Sequence, residues 1–371
     1  MPDRTVRQQI LSQARRLVVK IGTQAICTTG GRLDVRAVRS LARQIAALIQ
    51  DGRRVTVVAS GAIGAGLGEL NLPARPKTMP ELQAVAAVGQ GELMRAFRNV
   101  FSRHGLPVAQ VLLTREDFED RTRYLNIRNT LRALEDLGAL AIINENDAVA
   151  IDEIRYGDND LIAAHVAGMV AADVLIFLTT VDGVMDGGVA MDVVRKVDDE
   201  AIDLATDERT LLGSGGMASK IAAAGMITRA GEIALIANAR APKILTRLLA
   251  GKRLGTLFLP APRKLSSRRR WIGQASRPAG KITIDDGAVR AIAKSGRSLL
   301  PSGVLEVEGK FRKGATVAVV DSAGREVARG LTNYDAEQVA KIRGLRTGQI
   351  AQVLGDKPYD EIIHRNNMTV S

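Results

Sequence analysis

The sequence is poor in the residues that perform hydrolysis or bind transition metals. It has one cysteine, Cys27, and three histidines in 371 residues. A single cysteine excludes an internal disulfide framework and fits a reducing compartment. The histidines, at positions 104, 165 and 364, show no zinc-site spacing and pair with no obvious serine or cysteine nucleophile. We therefore expect neither a zinc enzyme nor a hydrolase with a catalytic triad.

Long hydrophobic runs and aromatic residues are also scarce. No apolar run approaches the roughly 20 residues needed to span a bilayer. The first 20 residues, MPDRTVRQQILSQARRLVVK, scatter charges where a signal peptide would be continuously apolar. We expect no membrane association and a cytoplasmic location. Aromatic residues make up only 3% of the chain, so the cores must be built from Ala, Val, Ile and Leu.

Acidic residues are missing from one stretch of this basic chain, whose formal net charge is +12. Residues 260–277, PAPRKLSSRRRWIGQASR, hold six basic side chains and no acidic one. A basic stripe can bind nucleic acid through its phosphates. Aromatic interleaving is limited here to Trp271, however, and single-stranded nucleic acids stack on such rings. We interpret the stretch as a solvated linker.

The first 260 residues alternate between strand-like and helical periodicity. Strands are predicted at residues 17–20, 55–59, 108–113, 140–144, 174–179, 233–238 and 256–260. Helices are predicted at residues 34–50, 82–104, 122–137, 160–171 and 217–230. This alternation predicts an α/β fold, with a mostly parallel sheet sandwiched by helices. Ligands of such sheets bind outside the carboxyl ends of the strands.

The remaining chain has a different texture. Residues 279–356 show short β-rich runs, KITID, GVLEVEG, ATVAVVD and REVARGL, around a single helical run, DDGAVRAIAKSG. This pattern predicts a small, mainly-β second domain. At about 150 residues per domain, the length of the chain also favours two or three domains. We therefore expect a first domain over residues 1–260, a basic linker over 261–278 and a second domain over 279–371.

Lysine and glycine residues follow several predicted strands. VVKIGT (18–23) places Lys20 and Gly22 after the first strand, and ASGAIGAGLG (59–68) follows the second. SGGMASK (214–220) opens a helix that contains Lys220. Lysine can reach phosphate oxygens, and glycine lets backbone N–H groups approach a ligand. Each motif also has an ordinary structural interpretation, as a strand-end lysine, as helix packing or as a flexible loop.

An acidic and amide-rich stretch, NENDAVAIDEIRYGDND, spans residues 144–160 and follows a predicted strand. Helix capping explains one aspartate of GDND but not the whole stretch. Amides and carboxylates can bind an α-amino group, and carboxylates bind Mg²⁺ or fix a lysine. Two lysines, two glycine-rich turns and this cluster together have the composition that phosphoryl transfer needs, because that chemistry depends on positive charge and positioning.

Several motifs resemble one known family. VVKIGT, ASGAIGAG, AAVGQGELM, INENDAV, YGDNDLIAA and GSGGMASKIAAA occur in this order and closely resemble the amino-acid kinase family, in particular its bacterial members that phosphorylate glutamate. The resemblance covers residues 16–260. The tail, with SLLPSGV, FRKGATVAVV and VARGLTNYD, is similar to the PUA domain. The resemblance implies transfer of a phosphoryl group from ATP, with Mg²⁺, to the side-chain carboxylate of L-glutamate. The product is L-glutamyl 5-phosphate, and the reaction is the first step of proline biosynthesis.

The resemblance also implies roles for individual residues. Lys20 and Lys220 would flank the transferred phosphoryl group, and Asp160 would orient them or serve the metal. The implied glutamate-binding residues are Ser60, Asp147 and Asn159, supported by Asn144 and Asp158. The implied nucleotide-binding residues are Lys20, Gly22, Thr179, Thr180, Ser214, Gly215, Gly216, Met217, Ala218, Ser219 and Lys220. Many family members read TDVDGLYTADPR where this chain reads TTVDGVMDGGVA (179–190), so Thr180 replaces an acid.

Other functions remain open at this stage. The same fold could phosphorylate N-acetylglutamate, aspartate or a nucleoside monophosphate. The PUA-like domain could bind RNA, although residues from 278 onward carry a net charge of only +3. The resemblance further implies a homo-oligomer and feedback inhibition by proline.

Overall fold

The computed structural model describes residues 2–28, 30–150, 159–197, 216–262 and 264–370. The chain folds into two compact units. Unit 1 comprises Met1–Asp117 and Thr122–Lys264, and unit 2 comprises Phe118–Arg121 and Leu265–Ser371. Within the described ranges, no helix combines the length and apolar character needed to cross a bilayer.

Unit 1 is an α/β unit. Its strands are β1 (Arg16–Ile21), β2 (Arg54–Ala59), β3 (Val108–Leu113), β4 (Leu140–Glu145), β5 (Val174–Thr179), β6 (Met185–Asp186), β7 (Val189–Ala190), β8 (Val193–Val194), β9 (Ile233–Asn238) and β10 (Thr256–Phe258). Its helices are α1 (Pro2–Ser12), α2 (Thr23–Ile26), α3 (Val35–Gln50), α4 (Ala62–Glu69), α5 (Met79–Phe101), α6 (Glu116–Glu119, of which Phe118 and Glu119 belong to unit 2), α7 (Arg121–Asp136, of which Arg121 belongs to unit 2), α8 (Asn159–Val170), α9 (Met217–Arg229) and α10 (Ile244–Leu249). The predicted strands are confirmed, with ends that shift by one or two residues.

Eight strands form one sheet in the order β3-β4-β2-β1-β5-β9-β10-β8. All neighbouring pairs are parallel except β9 and β10, which are antiparallel. The central strands are almost fully buried, because runs such as LVVKI and VLIFL are apolar on both faces apart from Lys20. The predicted mostly parallel sheet is therefore confirmed, and the carboxyl ends of β1, β2, β4, β5 and β9 lie along one edge.

Helix boundaries follow local capping chemistry. The Asp34 side chain accepts hydrogen bonds from the backbone N–H groups of Arg36 and Ala37, and thus caps α3. After α3, Gly52 adopts a φ of +80°, which glycine tolerates without strain. Cys27 is buried, and burial raises the pKa of its thiol to about 12, so it is not a thiolate at neutral pH.

Glycines on both helices bring α4 and α5 into close contact. A Cβ atom on Gly66 would lie 2.0 Å from the carbonyl oxygen of Val85, and one on Gly89 would lie 1.8 Å from that of Ala62. Real Cβ atoms do not approach so closely, so these positions require glycine. Gly61 serves a different need, since its φ of +109° turns the chain from β2 into α4.

Unit 2 contains a five-stranded sheet in the order β12-β11-β13-β14-β15. Its elements are β11 (Gly280–Ile284), β12 (Val304–Gly309), β13 (Thr316–Val320), β14 (Glu326–Leu331), β15 (Met368–Val370), α11 (Ser267–Arg270), α12 (Asp286–Ala293), α13 (Ala336–Ile342) and α14 (Ile350–Leu354). The expectation of a single helix within residues 279–356 is wrong, because α13 and α14 also form there. Both helices are too short to show a clear helical period in sequence.

The sequence suggested that the basic stretch 260–277 is a solvated linker. The structure shows that part of it is buried. It contains α11, and the side chains of Arg270, Trp271 and Ile272 are buried. Within unit 2, Trp271 Nε1 donates a hydrogen bond to the Phe118 carbonyl oxygen at 3.0 Å. The guanidinium of Arg121 lies 4.8 Å from the centre of the Trp271 ring. Burial of Trp271 and Ile272 inside unit 2 outweighs the polarity of the surrounding arginines.

Candidate active site

A charged centre lies at the carboxyl edge of the sheet in unit 1; we use this name for Lys20, Asp160, Ser219 and Lys220. Lys20 Nζ lies 2.6 Å from Asp160 Oδ1, and Lys220 Nζ lies 3.2 Å from Asp160 Oδ2. The hydroxyl of Ser219 also donates to Asp160 Oδ2 at 2.7 Å. Three elements thus meet here, since the four residues lie on β1, α8 and α9.

The charged centre is buried. Asp160 is 0% exposed, and Lys20 and Lys220 are 4% and 5% exposed. Burial alone would raise the pKa of the Asp160 carboxyl, but the charges of the two lysines and the hydrogen bonds from Lys20 and Ser219 lower it to about 2. Asp160 is therefore ionised at neutral pH. Two ammonium groups and one carboxylate leave one net positive charge, which suits an anionic ligand.

A second group of polar side chains lies beside the charged centre, because Asn159 directly precedes Asp160. Asn159 Nδ2 donates to Ser60 Oγ and to Asn144 Oδ1, both at 3.0 Å. Asn144 Nδ2 donates to Gln90 Oε1 at 2.9 Å, and Gln90 Nε2 donates to Gln110 Oε1 at 3.0 Å. We call these five residues the amide chain. It links the ends of β2 and β4 to α5 and β3.

Asp147 lies in the turn that follows β4 and is half-buried. Burial raises the pKa of its carboxyl to about 6, although the nearby charge of Arg75 partly opposes the shift. A carboxyl of this kind is ionised at pH 7 and becomes neutral under mildly acidic conditions. The turn is closed by backbone hydrogen bonds from Val149 and Ala150 to the Asn146 carbonyl oxygen.

The predicted nucleotide-binding residues that the structure describes lie at three places on the same edge. The N–H of Gly22 donates to the Leu178 carbonyl oxygen at 3.0 Å, and a Cβ atom here would lie 3.2 Å from that oxygen. Thr179 ends β5, and the hydroxyl of Thr180 donates to Gln24 Oε1 at 3.0 Å. The backbone from Gly216 through Ala218 opens α9, whose first turn also holds Ser219.

The structure brings some predicted residues into direct contact and leaves others apart. Lys20, Asp160 and Lys220 form one group, and Ser60, Asn144 and Asn159 form the other. For Asp147, Thr179 and Thr180, the structure gives no hydrogen bond to either group. Asp158, Ser214 and Gly215 lie outside the described residues.

Sequence reasoning missed the contacts of three residues, Ser219, Gln90 and Gln110. Ser219 was predicted only to bind the nucleotide, yet its hydroxyl donates a hydrogen bond to Asp160. Gln90 was not singled out at all, although it lies within AAVGQGELM, one of the motifs that carried the resemblance. The signal was present, but only the packing of α5 against the sheet reveals which side chain Gln90 contacts.

The arrangement defines a class of protein. A mostly parallel α/β sheet that places two buried lysines on a shared aspartate, beside the opening turn of a helix, is the site of an enzyme that transfers phosphoryl groups. Comparison with known proteins agrees with this class. The family model described as the amino acid kinase family matches residues 15–238, and the model of the PUA domain matches residues 280–354.

Relatives of high similarity narrow the assignment. The glutamate 5-kinase of Moorella thermoacetica is 47% identical over 367 residues, which cover 97% of both chains. The glutamate 5-kinase of Syntrophus aciditrophicus is 46% identical over 371 residues, which cover 98% of this chain and 96% of the relative. The chain therefore belongs to the amino acid kinase family, within the group of the glutamate 5-kinases, and carries a C-terminal PUA domain.

Among solved structures, a carbamate kinase from Giardia lamblia bound to AMP-PNP is similar to 67% of this chain over 100% of its own length. The TM-score is 0.48 and the sequence identity is 20%. At this similarity we transfer no residue role from that structure.

Proposed function

We propose that this chain transfers the γ-phosphoryl group of ATP to the side-chain carboxylate of L-glutamate, which forms L-glutamyl 5-phosphate and opens proline biosynthesis. The observation that carries the proposal is the pair of buried lysines, Lys20 and Lys220, held on the carboxylate of Asp160 at 2.6 and 3.2 Å. Such a site supplies positive charge where a phosphoryl group carries negative charge, and it needs little reorganisation during the reaction.

The chemistry requires no general base. Both carboxyl groups of glutamate are ionised at neutral pH, so the side-chain oxygen is already a nucleophile. It attacks the γ-phosphorus as the bond from that phosphorus to the bridging oxygen breaks, and the electron pair leaves with ADP. Neither step moves a proton. This fits a centre built from two lysines, one aspartate and one serine.

Lys20 and Lys220 flank the transferred phosphoryl group in this proposal and offset its growing charge. Asp160 does not contact the substrate directly; it fixes both ammonium groups in place. Its low pKa, about 2, supports that role, because the carboxylate remains ionised through the whole physiological range. Without Asp160, two buried ammonium groups would lie near each other with no anion between them, a costly arrangement.

The amide chain binds the amino-acid substrate in this proposal. We assign glutamate to Ser60, Asn159 and Asp147, with Asn144 and Asp158 in support. The carboxylate of Asp147 would pair with the α-ammonium group, and the hydroxyl of Ser60 can donate to a substrate carboxylate. Asn159 directly precedes Asp160 in sequence and donates a hydrogen bond to Ser60, so a glutamate held there would lie beside the charged centre.

The nucleotide binds where backbone N–H groups are available. The opening turn of α9, from Gly216 through Ser219, presents N–H groups and the positive end of the helix dipole to a phosphate. Gly22 allows the backbone after β1 to approach the phosphates. Ser214 and Gly215 precede that turn in sequence, and Thr179 and Thr180 extend the proposed site along the sheet edge.

Mg²⁺ is the implied cofactor, and it would offset charge on the phosphates of ATP. Mg²⁺ in such enzymes is commonly held by one or two carboxylates, several waters and the substrate phosphates. Asp160 is the one carboxylate of the charged centre, and both of its oxygens already face lysines. The donor set therefore fits an ion that would arrive with the nucleotide and be held mainly by phosphate oxygens, and Asp160 is the residue that would supply a protein carboxylate.

Three further properties rest on the family resemblance alone. We propose a cytoplasmic location, assembly as a homo-oligomer and feedback inhibition by proline, which shares an α-carboxylate and an amino group with glutamate. RNA binding by the PUA domain is the weaker alternative, since residues from 278 onward carry only +3 of net charge.

The reaction is tested by trapping its product. The full chain is incubated with ATP, Mg²⁺ and hydroxylamine, together with L-glutamate, L-aspartate or N-acetylglutamate, and hydroxamate is measured. We expect a signal with L-glutamate that is lost in Lys20→Ala. A signal with only another acid would keep the chemistry and overturn the substrate. No signal with any of the three acids would overturn the proposed function.

A further inference from the structure

The amide chain contains one hydrogen-bond acceptor that remains unused. Asn159 is 7% exposed, and its Nδ2 atom donates to Ser60 and Asn144. No residue in the described part of the chain donates a hydrogen bond to Asn159 Oδ1. A buried acceptor without a donor is destabilising, so such atoms are normally paired or reserved for a ligand.

The direction in which Asn159 points depends on its neighbours. Asn159 directs Nδ2 at Asn144 because Asn144 presents its Oδ1 atom there. Asn144 presents Oδ1 because its own Nδ2 donates to Gln90 Oε1. If Gln90 instead directed its NH₂ group at Asn144, both asparagines would have to reverse, and Asn159 would then expose a donor.

The proposed substrate, L-glutamate, should bind differently to the two orientations of the Asn159 carboxamide. The only hydrogen-bond donor of L-glutamate at neutral pH is its α-ammonium group, because both carboxyl groups are ionised. An acceptor at Asn159 Oδ1 therefore attracts the ammonium group, whereas a donor in its place would repel it. The relative affinity for acids with and without an amino group thus reports the direction of the chain.

We propose that Gln90 is a positioning residue for amino-acid selectivity: through Asn144 it orients the carboxamide of Asn159, so that Oδ1 accepts a hydrogen bond from the ligand's ammonium group. This inference rests on the proposed function, since it takes an amino acid to bind at Asn159. It adds a residue on α5 that touches no substrate, and it assigns a role to the AAVGQGELM motif.

Two variants at position 90 separate orientation from mere packing. Gln90→Glu keeps an acceptor for Asn144 Nδ2 and removes the possibility of reversal, because a carboxylate cannot donate. Gln90→Leu has a similar size and removes the acceptor. Gln90 is half-exposed and lies on the helix surface, so both changes are compatible with folding. The affinity for a non-hydrolysable ATP analogue, measured on each variant, checks that the rest of the site is intact.

The test compares the affinities of L-glutamate and glutarate, which is the same diacid without the ammonium group, by calorimetry on the full chain. We expect the native chain to bind glutamate more tightly than glutarate, and Gln90→Glu to keep that preference. In Gln90→Leu the ratio of the two affinities should fall about tenfold, which corresponds to one hydrogen bond to a charged group. A purely structural defect would weaken both acids equally.

The outcomes distinguish the two proposals. Binding of glutamate by the native chain with an unchanged preference in Gln90→Leu overturns the role of Gln90 and leaves the proposed function in place. An equal loss of preference in Gln90→Glu and Gln90→Leu also overturns it. Binding of neither acid by the native chain overturns the proposed function and this inference together.

Discussion

The charged centre and the amide chain lie side by side, yet they differ in whether each buried oxygen has a charged partner beside it. Both oxygens of Asp160 face cations within the protein, and Ser219 adds a further hydrogen bond. The amide chain is neutral, and its innermost carboxamide leaves Asn159 Oδ1 without a donor among the described residues. The buried charge has its counter-charges within the protein, and we propose that a ligand supplies the partner of the open amide oxygen.

The difference follows from what each group costs when it is left unpaired. A buried charge without a partner costs several kcal/mol, so the lysines need Asp160 even when no substrate is bound. A buried amide oxygen costs only about 1–3 kcal/mol. A fold can therefore keep one amide acceptor open for a substrate, whereas a site with open charges would threaten stability. The following variants, ordered from the largest expected effect to the smallest, test this division.

Removal of a lysine from the charged centre has the largest expected effect on catalysis. Lys20→Ala should lower kcat by about 10²–10³-fold, because a preorganised charge that stabilises the transition state is lost. The KM for glutamate should change little. Steady-state kinetics measure both values, and Lys294→Ala, which removes an exposed lysine of unit 2, is the control. A large rise in the glutamate KM with unchanged kcat would contradict the assignment.

Removal of the shared carboxylate should mainly affect stability. Asp160→Asn leaves Lys20 and Lys220 without their anion and should lower the free energy of unfolding by about 3 kcal/mol, measured in urea. The pKa of Asp160 is depressed to about 2, below its ordinary value of 3.8. Its contribution is therefore fully present above about pH 4 and is lost as the pH falls toward 2.

The same pH range supplies the control for that prediction. Native stability should fall between pH 4 and 2 more steeply than the stability of Asp160→Asn, because only the native chain has this carboxyl to protonate. Parallel stability curves for the two proteins would show that Asp160 does not have the depressed pKa on which the charged centre depends.

On the side of the amino acid, Asp147 should control the affinity for glutamate. Asp147→Ala should raise the glutamate KM about tenfold and leave the ATP KM nearly unchanged, because the carboxylate attracts the α-ammonium group. The pKa of Asp147 is about 6, so in the native chain the glutamate KM should also rise as the pH falls below 6. This pH dependence should disappear in Asp147→Asn. Equal effects on the two KM values would count against the role.

The smallest effect is expected at Ser219. Ser219→Ala removes one of the hydrogen bonds to Asp160 but leaves both lysines in place, so the free energy of unfolding should fall by only about 1 kcal/mol. The kcat should fall by less than tenfold. A loss as large as that in Lys20→Ala would mean that Ser219 acts on the substrate itself and does not merely support Asp160.

Much of this site could be predicted from the sequence because the parallel sheet topology determines where most of the site residues lie. Lys20, Ser60 and Asn144 follow or end parallel strands, and parallel strands bring their carboxyl ends to one edge wherever the helices lie. The periodicity of the first 260 residues therefore located the candidates before any contact was known. Asp160 could likewise be placed, because GDND sits where a helix begins.

The contacts of the amide chain could not be predicted in the same way. Gln90 meets Asn144 only because α5 packs against α4 through Gly66 and Gly89 at distances that exclude a Cβ atom. Hydrogen-bond direction between amides has no sequence signature, since the same residue types permit either direction. The short helices α13 and α14 were missed for another reason, because seven and five residues give too few turns for a period.

The central claim is that the charged centre serves the phosphoryl group and the amide chain serves the amino acid. Calorimetry on Lys20→Ala and Asn159→Ala, each titrated with L-glutamate and with a non-hydrolysable ATP analogue, tests it most directly. The account predicts that Asn159→Ala loses at least about tenfold in affinity for glutamate and keeps its affinity for the ATP analogue. Lys20→Ala should lose affinity for the ATP analogue and keep its affinity for glutamate. Equal losses of both ligands in both variants would contradict it.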